Sequence, residues 1–105
     1  MHIRVAKLTI GANGIADADA LISRIDADLV GPYSIAPGFV GYFNVKDDAS
    51  TAYSVRVFAD QATLDSANQA LSGTQGAIVN DFDLTVDAIV ANDVTAGAAY
   101  ALTTA

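Results

Sequence analysis

The chain has 105 residues, with 12 acidic against 5 basic side chains, a net charge of −7, 52% hydrophobic residues, 16% charged residues and no cysteine. This length predicts one domain over 1–105, and the apolar content excludes a disordered chain. No Lys or Arg follows Arg56, which argues against nucleic acid and anionic membranes as partners, and the lack of Cys excludes disulfides and thiolate chemistry.

Residues 2–10 are rich in β-branched side chains and stop at Gly11, which reads as a strand. Arg4 and Lys7 inside this run speak against a signal peptide. Asn13-Gly14 marks a turn. Residues 16–30 then take helical spacing, with Ala18, Leu21, Ile22, Ile25 and Leu29 on one stripe and Asp17, Asp19, Arg24, Asp26 and Asp28 around it. Gly31-Pro32 interrupts that helix, Pro32 opens a further short turn, and Pro37-Gly38 ends the segment. Leu29 to Val45 is too short and too broken by Pro and Gly to span a membrane, so the expected location is cytoplasmic.

Residues 39–46 and 52–59 read as two strands joined by a hairpin loop at 47–51. The hydrophobic pattern sets Phe39, Gly41, Phe43 and Val45 with Tyr53, Val55 and Val57 on one face, a parity that needs a loop of odd length, since an even one would put Arg56 among the phenylalanines at a burial cost. The other face takes Val40, Tyr42, Asn44 and Lys46 with Ser54, Arg56 and Phe58. Asp60 is an N-cap for a helix over 61–72 with Leu64, Ala67 and Leu71 inward. Gly73 and Gly76 loosen the chain before a short helical turn at 77–82. Residues 84–91 alternate as a fourth strand with Leu84, Val86, Ala88 and Val90 on one face, and 93–105 read as a tail or arm beyond a core of about 2–92.

The order β-α-β-β-α-β is the ferredoxin-like pattern, an α+β sandwich with a four-stranded antiparallel sheet. Two helices cover one face of such a sheet. The second face, expected to hold Phe58, Tyr42, Val40 and Ile89 beside polar groups, is too apolar to leave in water. A second copy of the chain would cover it, giving a C2 homodimer through the sheet face.

This layout, with Ala-Pro-Gly-Phe-Val-Gly-Tyr-Phe at 36–43 and Ser-Val-Arg-Val-Phe-Ala-Asp at 54–60, resembles the dimeric α+β barrel superfamily, and within it the antibiotic biosynthesis monooxygenase type. The resemblance covers roughly 2–92. It implies a homodimer with a cavity between the helices and the sheet of each subunit. Some members are cofactor-free oxygenases of phenolic or quinol substrates and commonly use Asn, Trp, Tyr and Arg. Others degrade haem with Asn, Trp and His. This chain has no Trp and only His2, so haem degradation is not expected, nor is any other cofactor.

Arg56, mid-strand between two valines, is the candidate clamp for an anion or enolate in a low-dielectric cavity. Its structural alternative is an ion pair, with Asp87 as one partner. Tyr42 and Asn44 share its face and either orient a small apolar or aromatic ligand or serve the dimer interface. Phe58 stands on that face too. Tyr33 lies where a cavity mouth would form, or packs in its loop. His2 reads as a frayed terminal residue, and no metal-ligand spacing is present. Two functions therefore remain open: a cofactor-independent oxygenase, and a non-catalytic binding or assembly module.

Overall fold

The structure is a computed structural model that describes residues 1–94. Four strands, β1 (His2–Ile10), β2 (Phe39–Asp48), β3 (Thr51–Phe58) and β4 (Leu84–Asp93), form one antiparallel sheet in the order β2-β3-β1-β4. The first helical unit is continuous: α1 (Ala18–Ile25), a π-helical stretch (Asp26–Val30) and α2 (Gly31–Ser34). The second unit is α3 (Gln61–Ala70) followed directly by α4 (Ser72–Phe82). The architecture is the ferredoxin-like α+β sandwich that the element order predicts.

Gly31-Pro32 does not break the first unit. Pro32 has no N–H to give to the Asp28 carbonyl, and the wider turn just before it absorbs that defect. Asp17 caps α1, its carboxylate accepting from the backbone N–H groups of Asp19 at 3.0 Å and Ala20 at 3.3 Å. Ala36-Pro37-Gly38-Phe39 then closes a type II turn, the Phe39 N–H donating to the Ala36 carbonyl at 3.2 Å with Gly38 at φ +80°. Helix α4 is much longer than the expected turn at 77–82, and Gly73 and Gly76 lie inside it with open space around them.

The hairpin keeps the expected parity by a different route. Its turn is only Ala49-Ser50, and a register shift between Lys46 and Asp48 restores the odd count. Gly41, Phe43 and Val45 therefore stand opposite Val57, Val55 and Tyr53, and Tyr42 and Asn44 opposite Arg56 and Ser54. A second shift, at Val40, turns Phe39 round to pair with Phe58, so Phe39 leaves the face assigned to it and joins the core. A third, between Val5 and Ala6, leaves Ala88 opposite Ala6 but Val90 opposite Val5, which takes Val90 off the face of Leu84 and Val86.

The helices cover the face of Ala6, Leu8, Ile10, Ala52 and Phe58, and these pack with Leu21, Ile25, Leu29, Leu64, Ile78 and Phe82. This corrects the expected face for the partner. Tyr42, Ser54, Arg56 and Phe58 lie beneath the helices, and the uncovered face is that of Ile3, Val5, Phe43, Val45, Tyr53 and Val55. Half-buried Arg56 is tolerated there because α3 brings Asn68 to it and β2 brings Tyr42. Phe43 is 44% exposed and Val45 56%. His2 is not frayed: it is a buried β1 residue whose Nδ1 lies 3.1 Å from Asp93 Oδ1, and the Val94 N–H donates to the Met1 carbonyl at 2.8 Å. Beyond residue 94, the expected tail lies outside the described residues.

Candidate functional site

Strand alternation sends Arg4, Ala6 and Leu8 of β1, Ser54 and Arg56 of β3, Tyr42 of β2, and Leu84 and Val86 of β4 toward the helices. There they meet Ile25 of α1, Leu29 of the π-helical stretch, and Gln75, Ile78 and Val79 of α4. Between them lies a cavity of about 60 Å³. Its wall is mainly apolar, and its most exposed lining residue is Val86 at 42%, so the cavity reaches the surface beside β4.

Arg56 is the centre of the polar wall. Its Nη1 donates to Asn68 Oδ1 at 2.8 Å and its Nη2 to the Tyr42 hydroxyl at 3.1 Å. The guanidinium carbon sits 4.6 Å from the Tyr33 ring centroid and 5.1 Å from that of Tyr42, within cation–π range of both. Those two rings meet edge to face at 5.3 Å, and Tyr33 meets Phe58 in the same way at 6.2 Å. The Tyr33 hydroxyl donates to Asn68 Oδ1 at 2.7 Å and accepts from Gln75 Nε2, whose amide also donates to the Asn68 carbonyl. One chain of bonds thus runs Gln75, Tyr33, Asn68, Arg56, Tyr42. Three buried polar atoms have no partner among the described residues: Arg56 Nε, Ser54 Oγ and Asn44 Oδ1.

Of the residues singled out from sequence, Tyr42 and Arg56 line the cavity. Tyr33 is fully buried behind Arg56 and packs on the ring of Phe58; neither ring lines the cavity, so Tyr33 backs Arg56 and is not a mouth residue. Asn44 is one step along the ladder, opposite Ser54, and does not line the cavity. The alternative partner for Arg56 is not used: Asp87 stands opposite Lys7, and Arg56 bonds Asn68 and Tyr42.

Sequence reasoning missed Arg4, Asn68 and Gln75. The signals were present. Arg4 shares parity with Ala6, Leu8 and Ile10. Asn68 follows inward Leu64 by four residues on α3, and Gln75 precedes Ile78 and Val79 by three and four on α4, so each is a polar residue on a core stripe. Burial pushes the Tyr33 hydroxyl up to about 12, against the opposing pull of the Arg56 charge. The hydroxyl therefore stays protonated at neutral pH and serves as a hydrogen-bonding post. Among the described residues no three His, Cys, Asp or Glu side chains gather as metal ligands, and no helix is long and apolar enough to cross a membrane.

The fold is shared with solved structures. HapK from Hahella chejuensis superposes with a TM-score of 0.71 at 14% identity, over 91% of this chain and 94% of its own. A Deinococcus radiodurans protein described as an antibiotic biosynthesis monooxygenase gives 0.70 at 16% identity, over 90% and 93%. SnoaB from Streptomyces nogalater, a cofactor-independent oxygenase, gives 0.65 at 16% identity, over 90% and 92%. No protein-family model and no curated protein matches the sequence. The chain thus has the ferredoxin-like fold of the antibiotic biosynthesis monooxygenase-type proteins.

Proposed function

We propose that the chain is a small-molecule-binding homodimer whose cavity is that of a cofactor-independent oxygenase of a phenolic or quinol ring. One arrangement carries this reading: a guanidinium, Arg56, held over two tyrosine rings in the wall of an apolar cavity, with its Nε unpartnered. Fixed positive charge in a water-poor site favours the ionised form of a ring hydroxyl placed beside it. The phenolate is electron-rich enough to reduce oxygen directly. A ring CH2 of the keto form then becomes C=O, one oxygen atom of O2 enters the ring, and the other leaves as water with the two hydrogens. Four electrons pass from substrate to O2, so no reductant is needed. Arg56 holds the oxyanion and Tyr42 orients the ring. The likeness to a fold shared with the oxygenase SnoaB supports the same reading.

The partner we propose is a second copy, seated on the face of Phe43, Val45, Tyr53 and Val55, since an apolar sheet face of this kind is a usual site of association. The second reading, a non-catalytic binding module, draws on one observation: no His, Asp or Glu lines the cavity to act as a base.

Oxygen uptake with a panel of quinols separates the two. The oxygenase reading expects enzyme-dependent uptake that Arg56→Ala lowers by about 100-fold or more. Native mass spectrometry on both proteins should show a dimer at twice the 10.8 kDa chain mass. No uptake across the panel would favour the binding module. Unchanged uptake in Arg56→Ala would remove Arg56 from the mechanism.

A further inference from the structure

The five cations of this chain are placed unequally. Arg24 bonds Asp28 and Asp81, Lys46 bonds Asp19 at 3.0 Å, and Lys7 stands opposite Asp87. Arg4 and Arg56 instead stand opposite each other, as direct partners across β1 and β3. Both line the cavity, and neither forms an ion pair among the described residues. Like charges directly opposite on paired strands are destabilising. All twelve Asp side chains lie at or before residue 93, yet none lines the cavity. A chain with more than two acids for each cation has set no acid between these two. Both arginines are half-buried, and the buried Nε of Arg56 still has a donor to spare.

We infer that the ligand of this cavity supplies the missing acid: an aromatic ring bearing an ionised carboxylate, clamped between Arg4 and Arg56. The inference rests on the reading of the cavity as a ring-binding site and adds the ligand's charge class to it. A ring hydroxyl ionised beside Arg56 supplies one negative charge for two guanidinium groups, so it does not account for the second arginine. A planar carboxylate offers two oxygens and can meet both guanidinium groups at once. A carboxylate head is also small enough for the enclosed space, leaving the ring in the apolar part of the cavity. Arg4 is then a binding and specificity residue.

The test is anaerobic titration calorimetry with two probes of equal size, 2,5-dihydroxybenzoate and 2,5-dihydroxybenzamide, on the intact protein and on Arg4→Gln. The acid should bind at least about tenfold tighter than the amide. In Arg4→Gln that preference, the ratio of acid to amide affinity, should fall below about threefold. Arg4→Lys keeps the charge and should hold a preference of at least about threefold, which keeps the test decisive if the Gln variant fails to fold. Equal affinities in the intact protein would overturn the inference but leave the ring-binding reading standing. So would a preference that survives Arg4→Gln. Binding of neither probe would overturn both.

Discussion

Tyr33 joins the packing of this molecule to its chemistry. It is fully buried, its ring lies under Arg56, and its hydroxyl lies between Asn68 and Gln75. Its folded value is about 12 against an ordinary 10.0, raised mainly by burial. A group with a raised folded value contributes its full stability below pH 10 and loses it as pH rises toward 12. Tyr33→Phe should therefore make stability less sensitive to pH in that window. Urea unfolding at pH 10 and 12 should show a fall smaller by on the order of 2 kcal/mol than in the parent protein; an unchanged fall would mean that the hydroxyl does not titrate late. The place of Tyr33, on a helix that runs on through Pro32, was not legible from sequence, but Tyr42 and Arg56 were, because aromatic and charged residues stand out against short apolar strands. Asn68 and Gln75 were not, since amides are ordinary on helix surfaces and only the position of the sheet beneath α3 and α4 gives them a role.

At the level of elements, the strands and the hairpin parity could be read from alternation, and the start of α3 from Asp60, whereas Asp17 reads as one of the polar residues around the first stripe and is the cap of α1. The Asp60 carboxylate accepts from the Thr63 N–H at 2.8 Å, which holds its carboxyl below the usual range. What alternation could not show were the three register shifts, because a bulge adds a residue without changing composition. They brought Phe39 against the core and took Val90 off the face of Leu84 and Val86. Glycine was misjudged for a related reason: its effect depends on local conformation. Gly38, at φ +80°, would bring an added Cβ to 2.5 Å from Thr63 Oγ1, whereas Gly76 lies exposed inside α4 with nothing within 4 Å. Gly38→Ala should cost about 1–3 kcal/mol and lower Tm. Gly76→Ala should add about 0.5–1 kcal/mol and raise it. Thermal melts that moved both variants in one direction would contradict this account.

For the whole molecule, fold class followed from element order, but the choice of covered face did not. Charge-burial cost placed Arg56 on the open face, and the structure reverses that choice by giving it Asn68 of α3 and Tyr42 of β2 as partners. The consequence is a separation of roles across one sheet: a mainly apolar cavity with Arg4, Tyr42 and Arg56 in its wall beneath the helices, and an apolar face with Phe43 and Val45 on the other side. The central claim is that ligand binds in the cavity. With only three arginines in the chain, Arg4, Arg24 and Arg56, the claim can be read residue by residue. The most direct measurement follows the arginine Nε–H signals by 15N-resolved NMR during titration with 2,5-dihydroxybenzoate. The account predicts that the signals of Arg4 and Arg56 shift together, while that of Arg24, held by Asp28 and Asp81, stays in place. Unmoved Arg4 and Arg56 signals at saturating probe would contradict it.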